Sequence, residues 1–178
     1  MAYYIYVDNS NVWIEGQRIS AVKKGYRGAE TLAAAMRNRI ADRGWNFHFG
    51  RLRYFAGGDD VAEAKLYGSR PPKNDELWKS AKRHGFEVKV FDRSFGREKR
   101  VDTQMVADIV KDLHTCIDKK KDTVVIVAGD QDHVPALEMA QAMGVRVEVA
   151  FWNHCNHHLK DGADEFFNLT PHFDHLAY

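Results

Sequence analysis

Four aspartates of this chain stand where solubility alone does not explain a carboxylate. Asp8 closes the apolar run Tyr3–Val7. Asp130 and Asp132 follow the apolar run Thr123–Ala128 across a single glycine, and Asp102 opens a helical stretch just after the basic segment Arg97-Glu98-Lys99-Arg100. Each alone reads most simply as a helix N-cap, where an aspartate oxygen accepts an otherwise orphaned backbone N–H. Gathered together they would repel, raising their pKa values or weakening the fold. Divalent cations resolve that repulsion, and hard oxygen ligands select Mg2+ or Mn2+ over zinc. A site of this kind activates water and neutralises a phosphodiester for in-line displacement. Asp8, Asp102, Asp130 and Asp132 are therefore the candidate catalytic and metal-ligating residues. Asn11 is their candidate polar companion, either orienting a phosphate or water or simply capping the next segment. Asp108 lies six residues beyond Asp102, about 120° away round a helix.

The case depends on elements that bring those residues to one place. Tyr3–Val7, His48–Phe55, Phe86–Phe91, Thr123–Ala128 and Val145–Phe151 read as strands. Glu30–Ala41, Asp75–Arg83, Val101–Cys116 and Val134–Met143 read as helices, the last ended by Gly144. Such β-α alternation implies an α/β fold: a mainly parallel sheet of about five to six strands with helices on both faces. The C-terminal ends of parallel strands share one edge, where ligands bind. Asp8 and Asp130 belong on that edge, Asp132 follows by connectivity, and Asp102 joins them if its helix starts there. Gly129 is expected to permit the tight turn from strand to helix. Two polar stretches, Glu15–Gly28 and Gly57–Asn74, fit no regular element and read as long loops.

With 178 residues and no linker or repeat, the chain is expected to be a single domain over 1–178. A net charge of +1 excludes a polycation that binds nucleic acid anywhere on its surface, so any such binding needs a local patch. Candidates are Lys23, Lys24 and Arg27 in the first polar stretch, Arg93, Arg97, Lys99 and Arg100 before the third helix, and Trp13 and Tyr26 as stacking platforms. No apolar run approaches a membrane span, and the start MAYYIYVD carries no secretory signal. Two cysteines give no disulfide framework, which fits a cytoplasmic protein; Cys116 reads as packing in a last helical turn.

The run His154-Cys155-Asn156-His157-His158 is too crowded to supply a tetrahedral zinc site and reads as a polar loop after the last strand. There is no phosphate-binding P-loop, no nucleophile elbow and no dinucleotide fingerprint. A phosphoacceptor receiver domain would want a lysine after the last strand, where Phe151-Trp152-Asn153 stands. A haloacid-dehalogenase phosphatase would want an acid at Ser10.

Asp8-Asn9-Ser10-Asn11, Lys99-Arg100-Val101-Asp102 with Asp108 downstream, and Gly129-Asp130-Gln131-Asp132 before Val134-Pro135 together resemble the NYN domain. The likeness extends to its LabA-like bacterial subgroup, within the PIN-like nuclease superfamily. The tail from Leu159 through Ala163-Asp164-Glu165-Phe166 to Leu169 is also similar, so the resemblance covers nearly the whole chain. It implies a Rossmann-like PIN-type fold, an acidic Mg2+- or Mn2+-dependent site at Asp8, Asp102, Asp130 and Asp132, and endoribonuclease activity on RNA. Asn11 matches the family's polar companion, and Lys99 and Arg100 beside Asp102 are the substrate-binding candidates. His133 departs from the pattern, standing where phenylalanine is common. The alternative is a catalytically silent module that binds RNA or protein, and homo-oligomer formation is left open.

Overall fold

The structure is a computed structural model that describes residues 1–70, 75–92 and 99–178, with the side chains of Arg70, Asp92, Lys99 and Arg100 outside the description. Among the described residues six strands form one sheet: β1 (Tyr3–Asp8), β2 (Val61–Arg70), β3 (Glu87–Asp92), β4 (Thr123–Val127), β5 (Arg146–Phe151) and β6 (Glu165–Asn168). Their order is β3-β2-β1-β4-β5-β6, and every neighbouring pair is parallel. The fold is thus α/β with an all-parallel sheet, consistent with the PIN-like expectation.

Strand side chains alternate between two apolar layers. Ile5 and Val7 of β1 and Val125 and Val127 of β4 pack on one face, with α1 (Asn9–Lys23), α3 (Phe49–Gly57), α4 (Asp75–Arg83) and α8 (Phe173–Leu176). Tyr4, Tyr6, Val124 and Ile126 face the other, under α5 (Lys99–Thr115), α6 (Val134–Ala142) and α7 (His157–Gly162). Burial on both faces is why β4 reads as one continuous apolar run. A short α2 (Leu32–Arg37) packs beside α1. The chain leaves β1 toward β2 on one side and later enters β4 on the other. The sheet's connectivity therefore reverses between β1 and β4, and a crevice opens at their C-terminal ends.

Several elements differ from the sequence reading. His48–Phe55 is not a strand: His48 caps α3, its Nδ1 accepting the Arg51 N–H at 3.3 Å, and Phe49, Leu52 and Ala56 fall on one buried helical face. Glu15–Gly28 is not a loop, because most of it continues α1, whose buried face carries Glu15, Gln17 and Ser20 and so lacks an apolar stripe. Gly57–Asn74 contains β2, disguised by the buried Lys65 and Ser69; residues 71–74 of that stretch lie outside the described ones. The expected helix Glu30–Ala41 shortens to α2, ended by Arg39 at φ 54°. β5 is not the last strand, since Glu165–Asn168 adds β6 alongside it. Cys116 is exposed just beyond α5, not packed.

Candidate metal centre

Asp8 ends β1 and caps α1. Its Oδ1 accepts the Asn11 N–H at 3.1 Å, so the strand-to-helix turn fixes the carboxylate. Asp102 lies in the first turn of α5, and that helix does begin at the crevice. Both carboxylates therefore sit at helix N-termini, whose partial positive charge favours anions. Asp130 caps a single 3-10 turn, Gln131–His133, by accepting the Asp132 N–H at 3.3 Å. Pro135 then opens α6.

The loop carrying Asp130 is clamped from both sides. The Gly129 N–H donates to Asn11 Oδ1 at 2.8 Å, and its carbonyl accepts the Asn156 N–H at 3.0 Å. Gly129 is needed for a reason other than a tight turn. A Cβ there would fall 2.1 Å from the Phe151 ring, so only glycine lets the chain pass between β4 and β5.

Ligand-capable atoms of Asp8, Asp102 and His133 all lie within 4.8 Å of one another. Asp8 and His133 are buried and Asp102 is half-buried. Burial pushes the Asp102 carboxyl up to about 6, and the negative charges of Asp8, Asp132 and Asp130 push the same way. Among the described residues no lysine or arginine pairs with it. This donor set fits a divalent cation, which would replace like-charge repulsion with attraction.

Two clefts meet at Asp102. The smaller, about 230 Å³, is lined by Asp8, Asn11, Glu15, Arg18 and Asp130; the larger, about 630 Å³, by Thr103, Gln131, Asp132, Pro135 and His158. Asp130 and Asp132 are exposed and do not join the tight group, but each opens onto one of these clefts beside Asp102. All four predicted aspartates are thus brought together in two tiers. Asn11 is spent largely on Gly129, although it also lines the smaller cleft.

The predicted cations fare differently. Lys23 pairs with Asp174 at 2.8 Å and Lys24 with Asp42 at 2.6 Å. Both lie at the C-terminal end of α1, about 20 Å from Asp8 along a helix of this length. Trp13 donates its indole N–H to the Trp45 carbonyl at 3.3 Å and packs against the core, and Tyr26 reaches Asp42. The side chains of Lys99 and Arg100, and the whole of Arg93 and Arg97, lie outside the described residues. Asp108 is turned away into a paired network with Tyr67 and Lys89. Among the described residues the His154–His158 run forms no metal-ligating group, and His154 Nε2 instead meets Glu15 at 3.0 Å.

Sequence reasoning missed Glu15, Arg18 and His133. Asp8, Asn11, Glu15 and Arg18 follow one another at intervals of three, four and three, the signature of one helical face. That signal is hidden because the polar stretch Glu15–Gly28, which holds its second half, reads as a loop. Glu15 is buried and paired with both Arg18 and His154, so Arg18 is held at the lip of the smaller cleft.

The profile described as the NYN domain matches residues 9–170. No curated protein matches the chain. Among the described residues no helix is long and apolar enough to cross a membrane.

Proposed function

Because this chain belongs to the NYN domain family of PIN-like nucleases, we propose that it is a divalent-metal-dependent endoribonuclease of the LabA-like kind. The observation that carries the reading is the close grouping of Asp8, Asp102 and His133 at the crevice between β1 and β4, with Asp102 driven up to about 6. A divalent cation held by Asp8 and Asp102, with Asp130 and Asp132 beside them, supplies Lewis acidity and charge neutralisation at a phosphodiester.

The chain's own groups set the geometry around that chemistry. The Asn11 N–H and the β1-to-α1 turn hold the Asp8 carboxylate in one orientation before substrate arrives. Asp130 and Asp132, exposed at the rims of the clefts, can take up a proton from an attacking water or hold that water in line. Arg18, anchored by Glu15, presents a guanidinium to the smaller cleft where a phosphate of the strand would lie. Lys99 and Arg100 at the start of α5 are proposed to grip flanking phosphates, aided by that helix's N-terminus.

The test is cleavage of labelled linear and circular RNA, with DNA alongside, in chelator, Mg2+ and Mn2+. Cleavage of circular RNA that needs a divalent ion and is lost in Asp8→Asn, Asp102→Asn, Asp130→Asn and Asp132→Asn is the expected result. Activity surviving in all four variants overturns the proposal. Preferential cutting of DNA corrects the substrate. Tight RNA binding without cleavage under any ion assigns the chain to the silent binding module.

A further inference from the structure

His133 stands in the close group with Asp8 and Asp102 but has been given no chemical task there, and its placement is costly. Its side chain is 0% exposed, at the end of the 3-10 turn that follows Asp130. Its Nδ1 is buried without a hydrogen-bond partner among the described residues. A buried polar atom left unsatisfied costs about 1–3 kcal/mol, which an apolar ring of similar shape would avoid. The other nitrogen supplies a reason for keeping the imidazole. Nε2 faces Asp8 Oδ2 at 3.4 Å, inside the group it forms with Asp8 and Asp102.

In an octahedral shell with bonds of roughly 2.1 Å, adjacent ligand atoms stand about 3 Å apart and opposite ones about 4 Å apart. The 3.4 Å separation falls between those two values, and with all three donors within 4.8 Å of one another small side-chain adjustments would bring them onto one ion. The three donors come from three separate elements: the end of β1, the first turn of α5 and the turn after β4. Each is fixed by backbone structure rather than by a free loop.

We propose that His133 Nε2 is a direct ligand of the cation held by Asp8 and Asp102, and that this nitrogen makes the centre prefer Mn2+ to Mg2+. The proposal rests on the metal-dependent reading above and goes beyond it by naming a ligand and a selectivity. Mg2+ dehydrates reluctantly and is held through oxygen, whereas imidazole suits transition-metal ions. Two carboxylates with one imidazole suit Mn2+, which accepts both donor types in octahedral geometry. With Nε2 engaged, the ring proton resides on Nδ1.

The experiment is pulsed electron paramagnetic resonance of the full chain loaded with Mn2+, prepared with natural-abundance and with ¹⁵N-labelled histidine. Modulation from one directly bound imidazole nitrogen, shifted by the label, is expected in the unaltered chain. It should vanish in His133→Phe, in which Mn2+ still binds through the carboxylates, and persist in His158→Gln, whose ring lines the larger cleft. Competition titration should show the Mn2+-over-Mg2+ preference falling about tenfold or more in His133→Phe. Bound Mn2+ with no nitrogen modulation in the unaltered chain overturns the proposal and leaves the nuclease reading standing. Nitrogen modulation that survives in His133→Phe also overturns it. A chain that binds neither ion removes both readings. Where His133→Phe does not fold, His133→Gln takes its place, and a histidine modulation that survives there with Mn2+ bound overturns the proposal in the same way.

Discussion

Asp102 and Asp112 leave the same helix ten residues apart and enter opposite electrostatic settings. Asp112 is buried midway along the sheet, where its Oδ2 accepts the Tyr6 hydroxyl at 2.7 Å and meets the Lys65 ammonium. Asp108, one turn earlier, is treated alike by Tyr67, Lys89 and Gln104, all within 3.0 Å. Burial opposes the Asp108 charge, but the hydrogen bonds from Lys89, Tyr67 and Gln104 outweigh it and hold the carboxyl below its ordinary value. Asp102 is more exposed to solvent than either, yet partial burial and the charges of Asp8, Asp132 and Asp130 drive it upward against the opposing pull of His133. One helix thus carries two carboxylates that the fold satisfies internally and one that, among the described residues, meets no lysine or arginine at the crevice. A satisfied acid is structural; an acid surrounded by other acids is waiting for a cation.

The largest effect that can test this contrast is on activity. Asp102→Asn removes a charge that burial and the neighbouring acids disfavour. It should lower cleavage by roughly a thousandfold, the equivalent of several kcal/mol of transition-state stabilisation. Its thermal midpoint in chelator should stay the same or rise, and the rise that Mn2+ gives the unaltered chain should disappear. A lowered midpoint in chelator would mean that Asp102 is paired within the fold after all.

The next effect is on stability and runs the other way. Asp112→Asn leaves Lys65 facing Tyr6 with its main counter-charge gone; Glu63, half on the surface, remains its other partner. Breaking a buried pair from one side costs about 3–5 kcal/mol, to be read from urea denaturation. Cleavage per folded molecule should be unchanged. The double replacement Lys65→Met with Asp112→Leu, made with Tyr6→Phe so that no buried hydroxyl is left unpaired, should recover most of the loss, because an apolar cluster of similar volume needs no compensation. If the combined variant is as unstable as the single one, the network sets more than charge balance.

The same contrast explains what could be read from residues alone. β4 was legible because burial on both faces leaves an uninterrupted TVVIV, and the acids were legible because they follow such strands directly. β2 was not, since Lys65 is buried in it and its buried counter-charge is Asp112, 47 residues away in sequence. α1 was not, because its inner face carries Glu15 and Gln17, whose partners come from His154 and Trp45. Long-range pairing erases the local hydrophobic period that sequence patterns rely on. His133 was visible only as a departure from a family's habit. Nothing local states that its ring turns inward to Asp8, 125 residues earlier. Lys23 and Lys24 look available to a phosphate for the same reason, until α1 carries them to its far end.

The smallest effect is also the most direct reading of the contrast, because the two acids should titrate with opposite signs. Asp102 ordinarily titrates near 3.8 and is raised to about 6 in the folded, metal-free chain. Its contribution to stability is therefore fully present below pH 3.8 and is lost as the pH rises through about 6. Asp108 is depressed below 3.8, so its contribution is present above that value and is lost as the pH falls through its folded value. Urea midpoints measured in chelator should then show two separate limbs. Asp102→Asn should flatten the decline between pH 3.8 and 6, by about 1 kcal/mol once solvent screening at this half-exposed group is allowed for. Asp108→Asn should flatten the acid limb and leave the upper one alone. An upper limb that persists in Asp102→Asn would place the strained titration on another acid of the crevice, and the comparison would then belong to that residue.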